Sequence, residues 1–264
     1  MTLSLINLLL GLLLLAVPGY LLYVYDRQML QKAALAVVRM VVQMTAMGAC
    51  LWALYRVDSP WLNLLWVVVS SLAATFLVVS RIRVRSRVLF VPVGISMLVG
   101  VMLLSAYVLL VVIRPEHALS ARWVLPVTGV LTAHLLTTII PAVRTYFDSL
   151  LQDSQPYYTL IGNGATRLQA LSPYVTRALR SLFVPALANL SAMGLFVMPM
   201  LLSGLLVGGM GAVESVAVYV MLVIAGLVAS VVSTLLTLWL ADRKVFDRQG
   251  RVGDGLRPKE RPSV

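Results

Sequence analysis

Apolar runs alternate with short polar stretches along the whole chain, and the runs have one characteristic length. They cover approximately residues 3–25, 34–55, 61–80, 88–113, 123–143, 182–206 and 213–240. About 20 consecutive apolar residues cross a bilayer core as a helix. A membrane barrel would instead alternate apolar and polar positions, and these runs do not. The pattern predicts an all-α integral membrane protein with about seven transmembrane helices, forming a single transmembrane domain over residues 1–242. A polar tail, residues 243–264, follows.

The polar interruptions set an orientation. Those after the first, third, fifth and seventh runs carry Arg27 and Lys32, then Arg81, Arg83, Arg85 and Arg87, then Arg144, Arg167, Arg177 and Arg180, then Arg243, Lys244 and Arg248. Those after the second and fourth hold only Arg56, Arg114 and Arg122, and Gly208-Gly209-Met210-Gly211 after the sixth holds none. Basic loops stay cytoplasmic, so the N-terminus is expected outside and the C-terminus inside. Pro18-Gly19 is expected to kink the first span. Leu3 to Val24 is long enough to span and lacks a basic leader, so it reads as a retained helix rather than a cleaved signal. Trp61 and Trp123, with Tyr20, Tyr23 and Tyr25, are placed as interfacial anchors.

Composition narrows the function classes. The chain has 264 residues, 60% hydrophobic and 12% charged, with mean hydropathy +0.94. A soluble domain of this length needs more polar surface. The net charge of +11 lies mostly between the runs, which suits topology and contact with anionic lipid heads. It forms no separate basic domain, so nucleic acid is not an expected partner. Cys50 is the lone cysteine, which rules out an internal disulfide or a thiolate cluster.

Polar groups inside apolar runs are costly and are therefore functional candidates. Arg39 and Gln43 lie one turn apart; they face a vestibule or dimer interface, or Arg39 snorkels to the boundary. His134 is the histidine well inside a span, able to ligate a transition metal or to hydrogen-bond Thr137, Thr138 or a neighbouring helix. Asn189 sits one turn beyond Pro185 and either lines a pathway or fills the gap that proline leaves. Met193, Met198 and Met200 crowd the sixth run as soft ligands or packing residues. Pro185, Gly194, Pro199 and Gly204 are gating or hinge candidates in that run, where breaks free backbone carbonyls.

The longest polar interruption, residues 144–180, carries Asp148, Asp153 and Asn163-Gly164. Gly164 permits a sharp turn, Thr166 is a plausible cap, and Ala165–Tyr174 is expected to form a short amphipathic helix with Leu168, Leu171 and Val175 on one face. Such an element either couples the spans to a soluble partner or lies on lipid.

Leu160-Ile161-Gly162-Asn163-Gly164-Ala165-Thr166-Arg167-Leu168-Gln169-Ala170 resembles the "LxLGATxxQA" loop of the FetB-type iron-export permeases, membrane subunits of a small ABC exporter family. Arg177-Ala178-Leu179-Arg180 with Pro185, then Gly194-Leu195, Pro199, Leu202-Ser203-Gly204 and Gly209, follow in that family's order. Arg39, Gln43, Pro126 and Gly129 match it upstream. Departures fall on the pathway: Ala133-His134 stands for the family's Gly-Asn, Gly211-Ala212 for its Asp-Pro, and Ala188-Asn189-Leu190-Ser191 for a lysine-bearing stretch.

The resemblance implies a homodimeric permease of the cell inner membrane that exports a metal ion such as iron. Gly164, Ala165, Thr166, Gln169 and Ala170 would couple it to a separate cytoplasmic ATPase. ATP and Mg would sit on that ATPase, and no cofactor is expected in this chain, which has no Gly-x-x-x-x-Gly-Lys-Ser/Thr phosphate loop. Two other readings remain: a non-transporting scaffold or regulatory subunit, motivated by the pathway departures, and a lipid-modifying enzyme, for which Asp148 and Asp153 lack a histidine partner.

Overall fold

The computed structural model describes residues 13–82, 86–193 and 199–245, and among them there is no strand. The chain divides into two units, residues 1–57 and 58–264.

The N-terminal unit holds α1 (Ala16–Tyr25) and α2 (Arg27–Val57). Asp26 alone separates them. Its Oδ1 accepts from the N–H groups of Gln28 and Met29, both at 3.0 Å, satisfying two of the free donors at the start of α2. Arg27 and Lys32, expected between spans, therefore lie within a helix. Pro18 sits in the first turn of α1, after a break at residues 14–15. That is where a proline ring would clash with the carbonyl four residues back.

The second unit comprises α3 (Pro60–Arg81), α4 (Ser86–Tyr107, prolonged by a π-helical turn Val108–Ile113), α5 (Ala121–Gln152), α6 (Gln155–Gly162), α7 (Arg167–Ala192), α8 (Met200–Val207) and α9 (Ala212–Val245). The long helices α5 and α9 form its centre: α5 packs on α3, α4, α7 and α9, and α9 on α4, α5, α7 and α8. Close approach needs small residues. A Cβ on Gly100 of α4 would collide with the Ser233 hydroxyl of α9. At one end Asp58 Oδ1 accepts from the Ala121 N–H (2.6 Å) and Asn63 Nδ2 (3.4 Å), while Asn63 Nδ2 also donates to the Leu119 carbonyl (2.9 Å). These bonds tie the start of α3 to the start of α5.

Five described helices are long and apolar enough to cross a membrane: Arg27–Val57, Pro60–Arg81, Leu89–Ile113, Ala121–Gln152 and Ala212–Val245. The first expected span includes residues 1–12 and the sixth includes residues 194–198; both stretches fall outside the described residues. So does the expected tail beyond Val245.

The main departure is the polar interruption between the fifth and sixth runs. It is helical almost throughout. Helix α5 continues past Val143 to Gln152, and the expected short helix at Ala165–Tyr174 is the opening of α7, which runs on unbroken to Ala192. Leu168 is 79% exposed although Leu171, three residues on, is 3% exposed, so the two are not buried together. The buried face is instead Ala170, Tyr174, Ala178, Leu182 and Ala186, spaced by four.

Candidate functional site

Two places concentrate the candidate chemistry: the tip where α6 meets α7, and a cavity among α5, α7 and α9.

The tip is a rigid corner. Helix α6 ends in a Schellman arrangement: the Ala165 N–H bonds the Leu160 carbonyl and the Gly164 N–H the Ile161 carbonyl, both at 3.0 Å. The motif needs a left-handed residue at its turn, and Gly164 has φ +83°. Helix α7 starts two residues later with a reciprocal cap. The Thr166 hydroxyl accepts from the Gln169 N–H, and Gln169 Oε1 accepts from the Thr166 N–H at 2.9 Å. Of the coupling candidates, Gly164, Thr166 and Gln169 build this corner and Ala165 bonds across it. Ala170 is fully buried beneath it. Tyr158, Ile161 and Leu168 are exposed around it.

A polar knot fastens the tip to the ends of α5 and α9. Tyr146 of α5 donates to Asp242 Oδ1 of α9 at 2.7 Å. Arg167, the first residue of α7, donates to the Asp242 backbone carbonyl in the last turn of α9, where carbonyls lack helical partners. Tyr174 donates to the Asp153 carbonyl, which links α7 to the α5–α6 connection. Burial pushes the Tyr157 and Tyr174 hydroxyls above the ordinary phenol range, so both remain protonated donors. Asp148 and Asp153 pair with Arg144 (3.4 Å) and Arg177 (3.5 Å).

The cavity encloses about 460 Å³. Helix α5 contributes His134, Thr137, Thr138 and Pro141; α7 contributes Ser181, Pro185 and Asn189; α9 contributes Tyr219 and Leu222, and Met193 and Pro199 complete it. Its placement follows from the sequence. Pro141 and Pro185 carry no N–H, so the carbonyls four residues earlier, of Thr137 and Ser181, lose their helical donors. Both of those residues line the same space.

Four hydroxyl protons at the wall are already committed. Thr137 donates to the His134 carbonyl (2.8 Å), the single Thr138 proton has that carbonyl (2.9 Å) and Ser230 Oγ (2.8 Å) as its acceptors, Ser181 donates to the Ala178 carbonyl (2.7 Å), and Tyr219 to Met193 Sδ (3.2 Å). The expected threonine contacts of His134 thus fall on its carbonyl rather than its ring. The ring packs on Gly226 of α9, where a Cβ would lie 3.0 Å from His134 Cδ2. Its Nε2 is buried without a hydrogen-bond partner.

The cavity therefore gathers His134, Asn189, Met193, Pro185 and Pro199 from the sequence candidates. Met200 does not join them; it is 93% exposed on α8. Gly204 is exposed on α8, with no neighbour within 4 Å of where a Cβ would stand. Arg39 and Gln43 lie on α2 in the N-terminal unit, while Gly194 and Met198 fall outside the described residues. As for metal ligation by His134, no three His, Cys, Asp or Glu side chains gather into an ion site among the described residues. Sequence reasoning missed Tyr146, Asp242, Arg167, Tyr219 and Gly226. Asp242 was legible as the acidic residue that closes the last apolar run; its partners, 75 and 96 residues away, were not.

Comparison with known proteins agrees with this architecture. The model of the uncharacterised protein family UPF0014 matches residues 5–246. The chain is 24% identical over 210 residues to UPF0014 membrane protein slr1647 of Synechocystis, covering 80% of this chain and 81% of that one. It is 26% identical over 206 residues to Protein ALUMINUM SENSITIVE 3 of Arabidopsis thaliana, covering 76% and 74%. It is 21% identical over 214 residues to the probable iron export permease protein FetB of Escherichia coli, covering 79% of each. No solved structure matches at a significant level. With a match over nearly its whole length and five helices suited to crossing a bilayer, the chain is a multi-pass membrane protein that belongs to the UPF0014 family.

Proposed function

We propose that this chain is the permease subunit of an ABC-type exporter. In this reading it works as a homodimer in the cell inner membrane, with its N-terminus outside and its C-terminus in the cytoplasm. A separate cytoplasmic ATPase, holding ATP and Mg, docks on the corner at Gly164–Ala170 and supplies the energy. The chain itself carries out no chemical step. The cargo is a metal ion such as iron, in keeping with the name of the E. coli relative.

The observation that carries the reading is the tip. Ile161 and Leu168 are apolar and exposed, at a corner that the polar knot holds fast to the ends of α5 and α9. Exposed apolar side chains on a rigid element suit a groove on a partner, because little order has to be gained on binding. Helix α7 then leads from that corner to the cavity wall. From Arg167 to Asn189 is 22 residues, about 33 Å at a rise of 1.5 Å per residue.

The test has two arms. The tagged chain is co-expressed with each small stand-alone ABC ATPase of its source organism and purified. One ATPase is expected to co-purify with the natural chain and to be lost with Leu168→Asp, which alters only an exposed side chain. In the second arm, Leu168→Cys in a Cys50→Ser background is treated with a membrane-impermeant maleimide. Labelling is expected in inverted vesicles and not in intact cells. Labelling from outside, or capture of no ATPase, would defeat the reading.

A further inference from the structure

We propose that the cavity among α5, α7 and α9 binds an uncharged, mainly apolar organic molecule carrying its own hydrogen-bond donors, and that a metal ion enters only as the centre of such a complex. Naming this ligand as cargo rests on the permease reading; its binding does not.

Size is the first observation. A space of about 460 Å³ lies in the range of pockets for small organic molecules and exceeds what a bare ion needs. Charge is the second. Among the described residues, no Asp, Glu, Lys or Arg lines the cavity. A buried anion would find no counter-charge there, and a bare multivalent cation no carboxylate, while charges moved out of water without partners are strongly penalised.

Hydrogen-bond capacity is the third, and it sets the polarity of the ligand. The hydroxyl protons of Thr137, Thr138, Ser181 and Tyr219 are all committed within the protein, so what these hydroxyls have left to offer a ligand is their acceptor capacity. The carbonyls of Thr137 and Ser181, freed by Pro141 and Pro185, add acceptors on the same two helices. Asn189 is the one side-chain amide at the wall among the described residues. A site rich in acceptors selects a partner that brings O–H or N–H groups.

The same inventory argues against direct ion coordination. His134 Nε2 is buried against α9, and Met193 Sδ already accepts the Tyr219 proton. Two of the four soft or nitrogen donors that the sequence suggested for a metal, His134 and Met193, are thus taken up in the protein's own packing.

Calorimetric titration of the full chain in nanodiscs, with empty nanodiscs subtracted, tests the inference. The probes are bisphenol A, which has two phenol donors on an apolar frame, its dimethyl ether, diphenolic acid, and ferrous or zinc ion alone. Bisphenol A is expected to bind saturably at one site per chain. The dimethyl ether, which has lost both donors, should bind about tenfold more weakly. Diphenolic acid, which adds a carboxylate, should bind about a hundredfold more weakly, and the bare ions should give no saturable heat.

Ala133→Phe narrows the cavity from an exposed helix position and should abolish bisphenol A binding; unchanged far-UV circular dichroism would show that the fold survives. Should Ala133→Phe misfold, Asn189→Leu serves in its place, with a severalfold loss expected. Equal uptake of all three organic probes overturns the inference, as does one-to-one binding of a bare ion that His134→Ala removes. ATPase capture is scored on the same preparations. Probe binding without ATPase capture defeats the permease reading alone, and capture without probe binding defeats this inference alone.

Discussion

Tyr146→Phe removes one oxygen from the knot beneath the tip and leaves the rest of the ring in place. Tyr146 is fully buried, and its ring meets Phe147 edge-on with centroids 5.1 Å apart, so the phenylalanine ring keeps that packing. What is lost is a 2.7 Å hydrogen bond to Asp242 Oδ1. A hydrogen bond to an ionised group contributes about 1.5–3 kcal/mol, and a desolvated carboxylate left without its donor keeps the whole penalty. The expected loss of unfolding free energy is therefore about 1.5–3 kcal/mol. Reversible unfolding in mixed micelles with added dodecyl sulfate, followed by far-UV circular dichroism, measures it. Pairing with Asp242→Ala isolates the interaction. If the bond acts as described, the double variant is less destabilised than the sum of the singles by about 1.5–3 kcal/mol. Additivity within about 0.5 kcal/mol would refute the reasoning, since it would mean that the two side chains do not sense each other.

Four further outcomes follow from single contacts. Gly164→Ala forces a Cβ onto a residue at φ +83°, at about 1 kcal/mol; amide exchange over residues 162–170 should quicken roughly fivefold, and no change would argue against the Schellman corner. Thr166→Ala removes half of the reciprocal cap, should cost about 1 kcal/mol in the same unfolding assay, and should speed exchange in the first turn of α7 selectively. Gly100→Ala should destabilise by about 1–3 kcal/mol through the Ser233 hydroxyl, and adding Ser233→Ala should restore most of it; failure to restore would mean that α4 and α9 do not meet there. Gly226→Ala places a methyl against His134 and should shift the His134 ring resonances in a labelled sample, with a cost of about 1–2 kcal/mol; unshifted resonances would remove the imidazole from that contact.

Features that depend on local chemistry were readable from the residues. Hydrophobic run length placed the five described helices that can cross a bilayer, since those runs are as long as a bilayer is thick. Gly164 and Thr166 were assigned a turn and a cap from their types alone, and the φ of +83° and the reciprocal bonds with Gln169 bear both out. The polar interruption was misjudged because hydropathy reports lipid contact, not helicity. Residues 144–152 and 167–180 are polar enough to leave the bilayer yet bury Tyr146, Phe147, Leu150, Tyr174 and Ala178 against one another. The face of α7 was misassigned because Leu168 was counted with Leu171. Spacing alone could not separate those two, which lie three residues apart on the same side of the helix; Leu168 stands exposed at the tip, while the four-residue series through Ala170 and Tyr174 carries the packing. The knot could not be read at all, because no local rule links Tyr146 or Arg167 to Asp242.

The two sites share α7, and this constrains how one could act on the other. The helix carries the corner at its first residues and Pro185 and Asn189 near its last. Between Pro173 and Pro185 it has a full set of backbone donors, so that stretch transmits displacement as a rod. At Pro185 a ladder bond is missing, and such positions are where helices bend. A push on the corner would therefore be conserved along the shaft and released as an angle change at Pro185, beside the cavity. The knot holds the corner to α5 and α9, which form the cavity's other walls, so moving α7 alone requires the Arg167 bond to the Asp242 carbonyl and the Tyr174 bond to the Asp153 carbonyl to yield. A tip that moves with its knot intact would carry all three walls together and leave the cavity unchanged. Cavity opening and weakening of the knot are thus expected to occur together. Distances between spin labels on residues 187 and 220, measured with and without Arg167→Met, would separate concerted movement from independent movement.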